Sequence, residues 1–184
     1  ITIDGSALGR VFSIFEDATD VCATPGADFH VSISGLTLTR GQRANQNQPG
    51  GAIYSEKSLT LDSVVISSSV AALGAGVAFQ TVYAGQSLDI DNSRFIDNVA
   101  KPIGGSNVAN NGGGLLVRER CSTVTSGVTV NISNSLFQGN RTEPATTSST
   151  GAGMYLFTRG NITITDSLPV ALAALGDRIE LGRW

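Results

Sequence analysis

Short "apolar-x-apolar" runs recur along the chain, each followed by a turn residue and then by another apolar position. The runs are "ITIDGS", "VSISGLTL", "LTLDSVVI", "LDIDNSRF", "VNISNSLF" and "ITITDSLP". Alternation with a period of two over so few residues predicts short, half-buried strands. The second apolar residue of each run falls at positions 3, 33, 61, 90, 132 and 164. Self-similarity at a near-fixed period predicts a solenoid. A second phrase is interleaved: "GGAI" from Gly50, "GAGV" from Gly74, "GGGL" from Gly112 and "GAGM" from Gly151. Insertions at 100–111 and 142–150 account for the longer spacings.

Strands this short cannot bury a face alone. Stacking units at ~4.8 Å pairs each strand with its copies above and below. The pattern therefore predicts an all-β chain, a right-handed parallel β-helix of about six rungs over 1–168. The right-handed form is preferred because the hexapeptide repeat of left-handed helices is absent. Residues 169–184 do not continue the phrase. Their Ala/Leu-rich stretch after Pro169 reads either as a short capping helix over the last rung or as a linker.

The turn residues fall into three columns. Asn92 and Asn134 share a corner with Gly5, Gly35, Ser63 and Asp166. These types tolerate left-handed backbone or bond their own turn. Asn98 and Asn140 mark a second corner with Gly41 and Ser69, where stacked amides can ladder. The glycine clusters form the third, where close stacking leaves little room for side chains.

"FIDN" (Phe95 to Asn98) and "FQGN" (Phe137 to Asn140) match an FxxN phrase, and "GGAI" matches its GGA-apolar partner. This alternation resembles the polymorphic outer membrane protein repeats, within the pectin-lyase-like β-helix class. The resemblance implies a secreted or surface-exposed module, often an adhesin or a passenger region. The chain departs from it at Leu38 and Ile66, which replace the phenylalanine, and at Gly41 and Ser69, which replace the asparagine.

Composition narrows the function. The net charge is −3, with 12 basic and 15 acidic residues, so no basic patch for nucleic acid is expected. No apolar run reaches the ~18 residues that would span a bilayer. Richness in Ser, Thr, Asn and Gly fits an extracellular or cell-surface protein. The expected role is a structural or adhesive module without catalysis, a segment of a larger protein or assembly. Its partners would be other protein chains or cell-surface glycans. The alternative is a polysaccharide-binding or polysaccharide-cleaving, lyase-like β-helix.

Candidate chemistry is sparse. Cleavage of an acidic polysaccharide needs a cation beside the uronate and a basic residue as proton acceptor. Lys101 and Arg118, with Arg120, are the candidate bases. Asp62, Asp89 and Asp91 are the candidate calcium ligands, against a plain reading as solvated surface carboxylates. No other metal or cofactor is indicated. His30, the only histidine, alternates with Phe29 and Val31 and so belongs on the outer surface. Outward positions after the glycine clusters give Tyr54, Ala78, Leu116 and Tyr155, then Glu56, Gln80, Arg118 and Phe157. Tyr54, Leu116, Tyr155 and Phe157 form either a ligand or partner face, or a patch covered by the inserted loop. An ice-binding array would need regular threonines. The column Thr2, Ser32, Thr60, Asp89, Asn131 and Thr163 is broken by Asp89 and Asn131. Asn131, Asn140 and Asn161 head N-glycosylation sequons. Cys22 and Cys121 sit three rungs apart, ~14 Å by strand spacing. A disulfide needs Cα atoms within ~7 Å, which favours unpaired thiols unless a loop leaves its rung.

Overall fold

A computed structural model describes residues 1–15, 22, 27–43, 48–102, 110–121, 127–143, 151–170 and 180–182. The described residues form an all-β structure without a helix. The chain begins with β1 (Thr2–Asp4), β2 (Phe12–Ile14) and β3 (His30–Ser34). A second circuit holds β4 (Thr37–Thr39), β5 (Ile53–Ser55) and β6 (Ser58–Asp62). The third holds β7 (Val65–Ser67), β8 (Val70–Ala71), β9 (Val77–Thr81) and β10 (Ser87–Asp91). The fourth holds β11 (Arg94–Ile96), β12 (Val99–Ala100), β13 (Leu115–Glu119) and β14 (Thr129–Ser133). The fifth holds β15 (Leu136–Gln138), β16 (Arg141–Thr142), β17 (Met154–Phe157) and β18 (Ile162–Thr165). Then come β19 (Leu168–Val170) and β20 (Glu180–Gly182).

These strands form four sheets, each joining a strand to its counterpart one circuit on. The first sheet runs β1-β4-β7-β11-β15-β19 and the second β8-β12-β16. The third runs β2-β5-β9-β13-β17-β20 and the fourth β3-β6-β10-β14-β18. Every named pair is parallel.

Register stacks like on like. In the fourth sheet Ile33, Leu61, Ile90, Ile132 and Ile164 form one inward column. Val31, Leu59, Leu88, Val130 and Ile162 form the other. The first sheet contributes Ile3, Leu38, Ile66, Phe95 and Phe137. The Phe95 and Phe137 rings stack with centroids 4.4 Å apart. The third sheet contributes Phe12, Ile53, Val77, Leu115 and Met154. Burying each such side chain is worth about 1.5–3 kcal/mol, so these columns are the main apolar stabilisation.

The anchor spacing misplaced one run. Thr2, Ile3 and Asp4 pair with Thr37, Leu38 and Thr39, so "ITIDGS" is a copy of the first-sheet phrase and not of "VSISGL". Thr2 therefore leaves the column headed by Ser32, and Gly5 leaves the first corner. Apolar alternation is the same in both sheets, and only the pairing tells them apart. The rest of that corner is as expected: Gly35, Ser63, Asn92, Asn134 and Asp166 all have φ between 47° and 63°. A serine ladder follows it. Ser93 Oγ accepts from the Val64 amide, Ser135 Oγ from the Ser93 amide and Ser167 Oγ from the Ser135 amide, each at 3.1 Å.

At the second corner the left-handed residues are Arg40, Ser68, Asp97 and Gly139, one position before the expected column. The asparagines that follow turn inward. Asn98 Oδ1 accepts from the Ser69 amide at 3.0 Å, and its Nδ2 donates to the Ile66 carbonyl and to Asn140 Oδ1. Asn140 Nδ2 donates to the Phe95 carbonyl at 2.9 Å. The amides thus satisfy backbone groups that the bend removes from the sheets. At the third corner, a Cβ on Gly112 (φ +65) would lie 2.3 Å from the Leu115 carbonyl oxygen. The same clash recurs at Gly50, Gly74 and Gly151.

One strand crosses the expected boundary at 168 and another falls in the expected tail. Leu168–Val170 adds to the first sheet, and Glu180–Gly182 pairs with the third. The expected capping helix falls on 171–179, outside the described residues.

Asn98→Ala removes the partners of three buried groups and is expected to lower the unfolding free energy by about 3 kcal/mol in urea titration. A loss below about 1 kcal/mol would mean that the ladder is dispensable. Gly112→Ala combines a backbone clash with left-handed φ. It should cost at least about 2 kcal/mol in the same assay.

Candidate functional site

The third sheet carries the expected ligand face, and its register is as anticipated. Tyr54, Ala78, Leu116 and Tyr155 are aligned, and so are Gln80, Arg118 and Phe157. The inner part of that face is closed. Tyr54 is 8% exposed and Leu116 fully buried, packed with Ala72, Leu73 and Ala78, and Tyr155 lies against them. The chain leaving β8 supplies Ala72 and Leu73, and the backbone of Leu73 bridges to Pro49 and Asn111. Tyr54 and Leu116 are thus core residues of a second apolar layer. Tyr155 and Phe157 stay partly exposed, their rings 6.3 Å apart.

Polar groups ring this layer. The Tyr54 hydroxyl donates to Glu56 Oε1, which also takes the Arg120 guanidinium. Burial, with the Glu56 hydrogen bond, pushes the Tyr54 pKa well up, so the phenol stays protonated and acts as a donor. The Arg10 guanidinium lies 4.8 Å from the centre of the Tyr54 ring and donates to the carbonyls of Pro49 and Gly50. Burial, with Arg43 nearby, pulls its pKa down to about 10. Arg10 remains charged at neutral pH and ties the first circuit to the second.

The lyase candidates are dispersed. Lys101 directly follows β12, the middle strand of the second sheet, and Arg118 lies within β13 on the third. Arg120 is committed to Glu56. The aspartates are on the fourth sheet. Asp62 and Asp91 are register partners on adjacent strands, and Asp89 aligns with Thr60. Their oxygens already hold donors. Asp91 Oδ1 accepts from Ser133 Oγ at 2.6 Å and Asn134 Nδ2 at 2.9 Å, and Oδ2 from Asn92 Nδ2. The bonds from Ser133 and Asn134, with the Asn92 backbone amide, hold the Asp91 carboxyl below its usual value. Asp89 accepts from Asn131 Nδ2, and Asp62 from Ser63 Oγ. Among the described residues no group of three or more His, Cys, Asp or Glu is placed to hold a metal ion.

His30 is exposed, its Nε2 2.7 Å from Thr60 Oγ1. Of the sequon asparagines, Asn131 and Asn161 are exposed, while Asn140 is 8% exposed and committed to its ladder. No helix among the described residues is long and apolar enough to cross a membrane. Of the inserted loops, 103–109 and 144–150 lie outside the described residues.

The cysteines overturn the expectation of free thiols. Cys22 and Cys121 form a disulfide with Cα atoms 5.4 Å apart. Strand spacing governs only residues that stay in a sheet, and Cys22 lies in the connection between β2 and β3. It packs beside Val82, Tyr83 and Cys121.

This disulfide stands at a fourth corner, between the third and fourth sheets, which the turn pattern did not mark. Asp28 accepts from the Ser58 amide, Ser58 Oγ and Gln86 Nε2. Gln86 Oε1 accepts from the amides of Val82 and Tyr83, and its Nε2 donates to the Glu56 carbonyl. Lys57 is buried there at 1% exposure. The sequence carried no clear cue, since the charged pair of "EKS" aligns with another charged pair, Arg118 and Glu119, two circuits on.

No protein-family model, curated protein or solved structure matches the chain.

The cross-link closes a sequence separation of 99 residues. Cys121→Ser is expected to lower stability by about 4 kcal/mol on loop-closure entropy, read as a shift in urea midpoint. Asp91 has a depressed folded pKa, so its contribution is present above the usual carboxylate range and lost as pH falls through the folded value. Asp91→Asn should flatten the acid limb of stability against pH. An unchanged limb would show that these hydrogen bonds carry no net stabilisation.

Proposed function

We propose that the chain is an extracellular or cell-surface module, structural or adhesive, built as a right-handed parallel β-helix. The hand is supported by the general rule that parallel crossovers within one sheet are right-handed in about 98% of cases. The reading of polymorphic outer membrane protein-type repeats belongs to this proposal, resting on the FxxN and GGA-apolar phrases. The observation that carries the functional reading is the in-register stacking. Inward positions go to apolar columns and corner positions to ladders, which supports a stiff rod. A disulfide suits an oxidising compartment. Contact with protein chains or surface glycans would fall to the outward polar columns of the fourth sheet. Ser32, Thr60, Asp89, Asn131 and Thr163 form one, and Ser34, Asp62, Asp91, Ser133 and Thr165 the other.

Those hydroxyl, amide and carboxylate columns also favour the second reading, a polysaccharide-binding protein. Lyase activity has less support, because Lys101 and Arg118 lie on different sheets from the aspartates. The test is incubation with polygalacturonate and calcium, alongside binding to a panel of neutral and acidic glycans. The expected outcome is no unsaturated product, with any binding retained in Lys101→Ala and Arg118→Ala. Release of unsaturated uronide that disappears in either variant would replace the non-catalytic reading with the lyase one.

A further inference from the structure

The chain has two lysines, and they are placed oppositely. Lys101 is partly exposed, while Lys57 is among the largest fully buried side chains. Lys57 Nζ donates to the Ala27 carbonyl at 2.7 Å and to the Tyr83 hydroxyl at 2.5 Å. It lies 4.2 Å from the centre of the Tyr83 ring and 5.1 Å from that of Phe29. Among the described contacts, carbonyl, phenol and aromatic faces stand in for part of the water an ammonium ion would otherwise hold.

Much of this enclosure comes from a connection and not from a sheet. Ala27 and Phe29 precede β3, and Ala27, Asp28 and Phe29 are themselves exposed on their outer side. Besides their contacts with Lys57, they have two further holds among the described residues. One is the Asp28 carboxylate on Ser58 and Gln86. The other is Cys22, five residues before Ala27, bonded to Cys121 beside Tyr83. Tyr83 therefore touches both the disulfide cluster and the lysine.

We propose that the Cys22–Cys121 disulfide is a redox latch over a latent amine site, and that its reduction exposes Lys57 while the sheets stay folded. A dithiol reductant attacks one cysteine sulfur and forms a mixed disulfide. Its second thiol then closes the reductant's own disulfide. Two electrons and two protons end on Cys22 and Cys121 as thiols. With that hold gone, the Ala27–Phe29 cover keeps its contacts with Lys57 and the Asp28 hydrogen bonds, and opens by local unfolding, which costs less than opening the paired sheets. The corner then presents one primary amine and two thiols, chemistry open to acyl donors and to thiol exchange. This proposal does not depend on the adhesive reading.

The test uses the whole chain in its oxidised form, after dithiothreitol, and as Cys121→Ser. Each form is treated briefly with an N-hydroxysuccinimide acetate at neutral pH, and acylation of Lys57 is read by peptide mass spectrometry against Lys101. The expected result is at least about a tenfold rise in the Lys57-to-Lys101 ratio on reduction and in the variant. Amides of Ile90 and Ile132 will lose hydrogen-exchange protection in step with global stability, but should remain far better protected than the Lys57 corner in all three forms. An unchanged ratio with both thiols shown to be free would overturn the proposal. So would a rise in Lys57 acylation no greater than the loss of protection at Ile90 and Ile132, since Lys57 would then be reached only through global unfolding. Asp28→Ala in the oxidised form provides a second check. It should raise the ratio less than reduction does, and a larger rise would place the latch at Asp28 instead.

Discussion

Parallel pairing of each strand with its own counterpart one circuit along is the constraint from which the rest follows. Strands of two to five residues have no stability singly. Pairing at the ~4.8 Å spacing sets each residue directly against its equivalent, so one residue's character must suit its neighbours above and below. Ile33, Leu61, Ile90 and Ile132 show this inside the fourth sheet, and Phe95 on Phe137 shows it inside the first. The corners obey the same rule. Each bend strands backbone donors and acceptors, and Asn98, Asn140, Ser93 and Ser135 return partners to them from the adjoining circuits.

The outer surface is less uniform than the interior. The fourth sheet turns hydroxyls, amides and carboxylates to solvent in straight columns. The third sheet is closed over Tyr54 and Leu116 by the chain that leaves the second. Several charges are paired across circuits: Arg120 with Glu56, Arg40 with Asp4, Arg159 with Glu119. The exposed pair of Arg40 and Asp4 contributes little on its own, because solvent screens it.

Much of the fold was legible because stacking repeats its chemistry. The glycines at 50, 74, 112 and 151 announced a corner without room for a side chain, and the turn residues from Gly35 to Asp166 announced left-handed backbone. The candidate face was legible as a register but not as a surface. Nothing in the order of residues says that Ala72 and Leu73 fold over Tyr54 and Leu116. Ile3 was assigned to the wrong sheet for a related reason, since two sheets with the same alternation differ only in which strand they meet.

The sequence by itself determined the local rules: short strands, a recurring unit, an apolar interior and corners of Gly, Asn, Ser and Asp. These are properties of a residue and its near neighbours, repeated often enough to be read. Only the tertiary structure decided what the connections do. Cys22 reaches Cys121 across 99 residues, and Lys57 is enclosed by Ala27, Phe29 and Tyr83 from neighbouring circuits. Those contacts depend on where a connection travels between strands. That path has no period, so it left no trace in the repeat.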